Sequence, residues 1–182
     1  MRIRRAQPDD AMAIAKMHAE NWQRIYRGIL RDDYLDGPVV SDRMVLWKHR
    51  LSSAADSGRQ FVSVIEQPGE LVAFVCVFLD SDPEWGALLD NLHVGVAWRG
   101  RQFGSKLMAN AAAWVIANRP NSRLYLWVYE KNVAACRFYE RWGGEIVDRH
   151  AEPAPDGTRV DAVRYGWRTL SGLAGAMVYA AG

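Results

Sequence analysis

The apolar and polar positions of this 182-residue chain follow the periods expected of strands and helices. Residues 60–66 alternate, which is typical of a strand with one buried face, and the apolar run 71–79 has the length of a buried strand. Pro68 and Gly69 between them favour a turn, so the two segments predict a β-hairpin. The other strands that we predict lie at residues 2–5, 87–94, 123–129, 145–150 and 159–167.

Helical spacing is clearest after residue 102, where apolar residues recur at intervals of four, four and three: Phe103, Leu107, Ala111 and Trp114. Near the N-terminus, Pro8 followed by two acids indicates a helix start, and Gly143-Gly144 indicates a helix end. Residues 22–40 are expected to form short helical pieces and loops. The predicted helices are 8–21, 41–53 with Ser41 or Asp42 at its start, 102–118 and 132–142.

These elements occur in the order β, helices, then β-β-β-α-β-α-β-β. Antiparallel hairpins at both ends and a parallel crossover in the middle predict an α/β fold with a mixed, twisted central sheet of about seven strands and flanking helices. The length favours one domain, which we assign to residues 1–167. Residues 168–182 are small and apolar, and this tail is compatible with a docked helix or with a homodimer contact.

Composition and charge narrow the function classes. The 23 basic and 21 acidic side chains give a formal charge of +2, which argues against a dedicated nucleic-acid binder. Two cysteines and four scattered histidines make neither a disulfide framework nor a zinc site, so no metal is expected. The longest apolar run is too short to cross a membrane, and the first residues lack the apolar segment of a signal peptide. We therefore expect a cytoplasmic protein without membrane or nucleic-acid partners.

One strand–turn–helix segment, Leu92 to Leu107, carries candidate chemistry. The free N–H groups and the positive dipole end of a helix start attract anions, and neighbouring arginines add positive charge. Gly100 and Gly104 allow close approach of the backbone. This combination indicates a phosphate or pyrophosphate site. It is not a P-loop, because Arg101-Gln102 stand where Lys-Ser/Thr would hold phosphate and magnesium.

The same segment resembles the GNAT superfamily of acyl-CoA-dependent N-acyltransferases. The family signature, Arg/Gln-x-x-Gly-x-Gly/Ala after a strand with Leu-x-Val, is similar to Arg99-Gly-Arg-Gln-Phe-Gly104 after Leu92-His-Val94. A second family signature is similar to Asn132-Val-Ala-Ala-Cys-Arg-Phe-Tyr-Glu-Arg-Trp-Gly143. The resemblance spans about residues 2–167. It implies the GNAT fold and an N-acetyltransferase that uses acetyl-CoA as co-substrate without a metal.

The resemblance also implies donor-site residues. Backbone groups of Leu92, His93 and Val94 would pair with the pantetheine arm like an added strand. Asn132 would hydrogen-bond the pantetheine amides, although it is also a good helix N-cap. The pyrophosphate would lie on the turn and helix start formed by Arg99, Gly100, Arg101, Gln102, Phe103, Gly104 and Ser105. Gln102 departs from the glycine usual in the family, and we expect the turn to survive if Gln102 has helical dihedrals; weaker CoA binding is the other outcome.

The resemblance also implies catalytic roles. Tyr139 would protonate the departing CoA thiolate, although its apolar helix face is equally compatible with a core tyrosine. Many family members place a glutamate where this chain has Leu88. Asp90, two residues along the strand, is our substitute general base, and Glu84 and His93 are weaker candidates. Asp90 could equally bind a substrate cation or face solvent.

The acceptor is expected to bind against the N-terminal part of the chain. Trp22 and Tyr26, one helical turn apart, could line this site together with His18, although core packing explains such residues as well. The strand before the second signature lacks the acid common in members that acetylate protein N-termini, so we prefer a small-molecule primary amine. The alternatives are a protein or peptide amine, and a catalytically degenerate module that acts as a CoA sensor or a protein-interaction partner.

Overall fold

A computed structural model describes residues 1–52 and 58–174 of the chain. Its strands are β1 (Arg2–Arg5), β2 (Gln60–Gln67), β3 (Glu70–Asp82), β4 (Gly86–Val94), β5 (Leu124–Tyr129), β6 (Glu145–Pro153) and β7 (Arg159–Trp167). They form a seven-stranded mixed sheet in the order β1-β2-β3-β4-β5-β7-β6. The α-helices of the described residues are α1 (Ala11–Ile25), α2 (Asp32–Asp36), α3 (Val39–Arg50), α4 (Phe103–Asn118) and α5 (Val133–Arg141). This architecture confirms the predicted fold class.

The first helix differs from the prediction at both ends. A short 3-10 turn, Pro8–Asp10, precedes α1, and α1 continues to Ile25 instead of ending near residue 21. Asp10 does not cap α1 with its side chain. Its carboxylate instead accepts a hydrogen bond from the Gln7 N–H (2.6 Å) and pairs with Arg4 (2.7 Å).

The third helix also begins earlier than predicted. α3 starts at Val39, directly after Pro38, and not at Ser41 or Asp42. Proline suits a helix start because its φ is already fixed near the helical value and its missing N–H has no intrahelical partner to lose. The residues predicted as short pieces and loops contain one further short helix, α2.

The sheet consists of two antiparallel halves joined by one parallel contact. β1 to β4 form one half, and β5, β7 and β6 form the other. β4 and β5 pair at Ala87–Leu124 and at Leu88–Tyr125, the two positions of their shared register. Beyond Leu88 the two strands no longer pair, and we call the gap between them the seam. The parallel crossover between antiparallel hairpins is as predicted.

Alternation along the central strands divides the core between the two faces of the sheet. Ile65, Val75 and Val77 belong to the cluster packed against α4. Their neighbours Val64 and Phe74 belong to a second cluster, with residues of α1 and α3. α3 and α4 therefore lie on opposite faces of the sheet. The predicted apolar face of α4 is buried at Phe103, Leu107 and Ala111, and Trp114 stacks on Phe61 (centroids 4.8 Å apart).

The predicted tail after residue 167 is partly described. Residues 171–174 are helical, and Leu170 and Leu173, each 4% exposed, belong to the same core cluster as α4. Residues 175–182 lie outside the described residues, so the rest of the predicted tail is not accounted for. No helix in the described ranges is long and apolar enough to cross a membrane.

Candidate functional site

A cavity of about 600 Å³ lies at the seam. Helices α1 and α3 contribute one part of its lining, and β5, α5 and β6 contribute the other. The predicted site residues that line it are Trp22, Tyr26, Asp90, Leu92, His93, Val94, Arg99, Gly104, Asn132 and Tyr139. The other predicted donor-site residues belong to the same turn and helix start without lining the cavity: Gly100, Arg101, Gln102, Phe103 and Ser105.

β4 is irregular where it borders the seam. Cys76 of β3 faces Asn91, but the next β3 residue, Val77, faces Leu89, so Asp90 is an extra residue in β4. A β-bulge of this kind bends the strand and increases its local twist. The bulge breaks the simple alternation by which we placed Asp90 on the face of Leu88. All residues from 88 to 94 line the cavity as a result.

The turn before α4 leaves backbone N–H groups available. The first N–H groups of a helix have no intrahelical partner, and no side chain caps α4. The first backbone hydrogen bond of the helix runs from the Lys106 N–H to the Gln102 carbonyl (3.0 Å). Arg99 lines the cavity beside this turn, and the Arg101 guanidinium lies 4.8 Å from the centroid of Trp98. The positive end of the helix dipole and the two arginines suit an anion.

Gln102 has a different backbone conformation from the one we expected. Its φ of 60° and ψ of 14° are left-handed, not helical, and Gly100 in the same turn has φ 77°. A side chain in this conformation costs about 1–2 kcal/mol, so glycine suits the position better. The turn nevertheless keeps its shape, and the Gln102 side chain is exposed.

Asn21 is a site residue that we did not predict. It is 1% exposed, and its Nδ2 donates to the Val94 carbonyl (3.2 Å) while its Oδ1 accepts from Arg99 (2.7 Å). Asn21 thereby ties the end of β4 to the first arginine of the signature. The available signal was an asparagine one helical turn from Met17 on one side and from Ile25 on the other.

Asn132 caps α5 and also faces the cavity. Its Oδ1 accepts a hydrogen bond from the Ala135 N–H (3.3 Å), which is the expected capping contact. Burial raises the pKa of Tyr26, with Tyr129 adding to the rise, and the Asn132 side chain opposes this increase. The cap uses the Asn132 oxygen, and the side chain also hydrogen-bonds the Tyr26 hydroxyl at the cavity wall. A ligand amide would share or replace this contact with Tyr26.

Tyr139 lies between the core and the cavity. It is 8% exposed, and its ring packs edge-on against Trp167 with centroids 6.1 Å apart, as a core tyrosine would. It also lines the cavity. Burial, reinforced by Tyr26, raises the pKa of the Tyr139 hydroxyl, which therefore keeps its proton at neutral pH. A buried, protonated phenol can donate to an anion that forms beside it.

The candidate bases have different surroundings. Asp90 pairs with Arg50 (2.6 Å), and their side chains are 28% and 16% exposed respectively. His93 lines the cavity, and burial lowers its pKa to about 3. Glu84 lies in a separate surface depression, where it faces Arg123 (3.6 Å). The structure thus brings Asp90 and His93 into the cavity and leaves Glu84 outside it.

His18 packs behind the cavity lining. It is fully buried, its Nδ1 accepts from the Trp47 Nε1–H (3.0 Å), and its ring lies 4.5 Å from that of His93. Burial lowers its pKa, so the imidazole stays neutral. Of the three residues expected at the acceptor side, Trp22 and Tyr26 line the cavity and His18 does not.

The acceptor side contains charged residues that we did not predict. The Arg43 guanidinium of α3 lies over the Trp22 ring, 4.3 Å from its centroid, and Glu152 of β6 lines the cavity. Burial raises the pKa of Tyr129 to about 12, and Glu152 adds to this rise while Arg43 opposes it. Both charged residues lie outside the two signatures, so the motifs could not identify them.

Metal ligands and thiols add little to this site. Across residues 1–52 and 58–174, no group of three or more His, Cys, Asp or Glu is placed to hold a metal ion. Cys76 and Cys136 are free, and burial raises the pKa of the Cys76 thiol. The chemistry that the cavity offers is anion binding at one end and a phenol and carboxylates along its walls.

Sequence comparison identifies the family. A sequence model of the acetyltransferase (GNAT) family matches residues 19–144. The probable N-acetyltransferase Rv2775 of Mycobacterium tuberculosis is 26% identical over 174 residues, which cover 95% of this chain and 88% of that protein. The uncharacterized N-acetyltransferase YuaI of Bacillus subtilis is also 26% identical over 174 residues, covering 94% of this chain and 95% of that protein.

Solved structures share the fold. The PaiA N-acetyltransferase of Thermoplasma acidophilum, in complex with coenzyme A, superposes with a TM-score of 0.70 at 14% identity, covering 91% of this chain and 98% of that one. YncA of Salmonella typhimurium, a putative acetyltransferase solved with acetyl-CoA, gives a TM-score of 0.64 at 17% identity, covering 92% and 93%. The chain belongs to the acetyltransferase (GNAT) family and is an acyltransferase.

Proposed function

We propose that this protein transfers the acetyl group of acetyl-CoA to a primary amine of a small molecule, with residues 1–167 as the catalytic domain. One observation carries the proposal: the seam between β4 and β5 leads from an uncapped helix start to a buried, protonated tyrosine. The free thiols of Cys76 and Cys136 fit the reducing cytoplasm in which we place the reaction.

The donor end of the cavity fits an acyl-CoA. The backbone of β4 from Leu92 to Val94 does not pair with β5, so the pantetheine arm can add to it as a strand would, apart from the Val94 carbonyl, which accepts from Asn21. Gly104 lines the cavity, and a Cβ there would lie in ordinary contact with Phe138 (3.5 Å) and Val94 (3.8 Å). The N–H groups of residues 100–105 and the guanidinium of Arg99 would hold the pyrophosphate.

Acetyl-CoA supplies an acetyl group as a thioester, which an uncharged amine can attack directly. In the proposed mechanism Tyr139 holds a proton on its hydroxyl and gives it to the departing thiolate. Backbone N–H groups at Leu92–Val94 stabilise the oxygen that becomes negative during the attack. Asn132 would bind the pantetheine amides in place of the Tyr26 hydroxyl, which its side chain contacts in the structure.

The amine must lose a proton before it attacks, since an alkyl amine is mostly charged at pH 7. We assign proton acceptance to Asp90, directly or through a water molecule, because the bulge presents it in the cavity and Arg50 fixes its carboxylate. His93 is the weaker candidate, since its lowered pKa leaves it little affinity for a proton.

The first experiment is thermal melting of the purified protein with acetyl-CoA, CoA or ATP. A ligand at 100 times its Kd stabilises a protein by about 2.7 kcal/mol, so both CoA species should raise the melting temperature and ATP should not. An amine screen that detects free thiol then tests transfer. No shift at millimolar acetyl-CoA would reject the donor site, whereas a shift without transfer to any amine would favour the degenerate CoA-binding module.

A further inference from the structure

The three arginines that line the cavity differ in what they contact. Arg50 pairs with Asp90 (2.6 Å), and Arg99 donates to Asn21 (2.7 Å). Arg43 makes no hydrogen bond or ion pair to any residue that the structure describes, and its Nε is buried without a partner. The central carbon of its guanidinium lies over the Trp22 ring, 4.3 Å from the ring centroid. Arg43 is therefore a cation that packs on Trp22 and whose guanidinium donors are available for a ligand.

Arg43 is separate from the proposed phosphate site. Its helix, α3, packs on the face of the sheet opposite to α4, whose start would hold the pyrophosphate. Around Arg43 the cavity is lined by Trp22, Tyr26, Tyr129 and Glu152, so it belongs to the acceptor side. A ligand group that meets Arg43 is consequently part of the acceptor.

We propose that Arg43 binds a carboxylate of the acceptor, which makes the acceptor an amino carboxylate such as an α-amino acid. This inference rests on the proposed function and names the substrate class of the same site. A guanidinium presents parallel N–H donors that match a carboxylate, and the cation–π contact with Trp22 holds the Arg43 guanidinium at the cavity wall. Glu152, on the same side of the cavity, adds a negative charge that attracts the ammonium group as the acceptor enters, before its proton passes to Asp90. A polyamine would place positive charge against Arg43 and is disfavoured.

The test compares acceptors that differ only in the negative charge. Each common α-amino acid is assayed beside its carboxamide, which keeps the amine and the side chain but removes the carboxylate charge. We expect the wild-type protein to favour the best amino acid over its amide by at least about tenfold in kcat/KM. Arg43→Met should remove this preference, and Arg43→Lys should keep part of it. Lys48→Met, which removes one charge from an exposed position of the same helix, should leave the preference unchanged.

Several outcomes would overturn the inference. Equal use of acids and amides by the wild type would do so, and so would efficient use of simple polyamines or of a peptide with a blocked carboxyl terminus. An unchanged acid-to-amide ratio in Arg43→Met would also reject it. Circular dichroism of Arg43→Met and Arg43→Lys tells whether a lost preference comes from the lost contact or from unfolding.

Failure of the proposed function would give a different result. If no acceptor is acetylated, the same panel is measured by thermal shift. Stabilisation by amino acids but not by amides, lost in Arg43→Met, would keep the carboxylate site and reject the transferase activity. Absence of any stabilisation by the amino acids would reject the carboxylate site.

Discussion

Gln102 combines a long exposed side chain with a left-handed backbone at the residue before α4. Glycine has no Cβ to clash in this conformation, so we expect Gln102→Gly to raise the free energy of unfolding by about 1 kcal/mol. Urea unfolding measures this change. Gln102→Ala is the matched control, because it keeps the Cβ and should not stabilise. Equal stabilisation by both variants would locate the strain in the side chain instead of the backbone.

The Tyr139 hydroxyl is the proposed proton donor, whereas its ring packs in the core. Tyr139→Phe keeps the packing against Trp167 and removes the proton donor, so kcat should fall by about 10²-fold while CoA still raises the melting temperature. Tyr165→Phe is the control, because it removes a hydroxyl that points to Glu140 (2.8 Å). Turnover unchanged in Tyr139→Phe would exclude this residue from proton transfer.

Single residues were predictable where their surroundings are local in the chain. The donor-site residues at 92–105 follow one another through strand, turn and helix start, so a signature captures them together. Arg43 and Asn21 acquire their contacts because α1 and α3 pack beside β4, far away in the sequence. The sequence also could not predict the dihedrals of Gln102, because glutamine disfavours positive φ and the turn imposes a left-handed conformation.

At the scale of elements, the bulge in β4 determines how Asp90 is presented. If Asp90 accepts the amine proton, Asp90→Asn should lower kcat/KM by about 10²-fold. Glu84→Gln is the matched control, since Glu84 lies in a different depression and should leave kcat/KM unchanged. An unaltered kcat/KM in Asp90→Asn would contradict the assignment.

Strands were predicted more closely than helix ends. The alternating and continuous apolar runs identify β2 and β3 because each strand buries its residues within the sheet. α1 runs beyond residue 21 because Trp22 and Ile25 pack in the cavity wall, a tertiary contact that a turn-rich sequence does not reveal. The bulge is invisible to periodicity, since it depends on the register with β3.

At the scale of the whole molecule, two neutral histidines, His18 and His93, are enclosed side by side with rings 4.5 Å apart. Burial lowers both pKa values below the unfolded value of about 6.5. Above pH 6.5 the two imidazoles are neutral in both the folded and the unfolded protein, so they do not reduce the free energy of unfolding. As the pH falls below 6.5, the two imidazoles become protonated in the unfolded chain but stay neutral in the folded protein, which lowers the free energy of unfolding. This continues until the pH reaches the folded pKa, about 3 for His93.

The free energy of unfolding should therefore decrease by up to about 1.4 kcal/mol per pH unit for each imidazole below pH 6.5. Urea unfolding between about pH 7.5 and pH 5.5 measures the slope, before most carboxylates titrate. His18→Gln should reduce it, and His49→Gln, at an exposed position, should not. A flat profile in the unmodified protein would mean that the pair takes up protons without unfolding.

The hairpin pairs and the parallel contact of the sheet followed from the succession of elements, because hairpins pair neighbours and a crossover makes a parallel contact. The placement of β7 between β5 and β6 did not follow from it, since either hairpin strand could have paired with β5. This placement puts β6 at the edge of the sheet, and Glu152 of β6 nevertheless lines the cavity together with Tyr129 of β5.

The short contact between β4 and β5 has a consequence for the resistance of the protein to proteolysis. Backbone pairing joins the two halves of the sheet at two residue positions, so separation of β5, β7 and β6 from β4 would break few backbone hydrogen bonds and would be opposed mainly by their shared side-chain core. A molecule that bridges both halves would oppose that separation more strongly as its concentration rises. Under the proposed function, acetyl-CoA should therefore slow proteolysis of the purified protein.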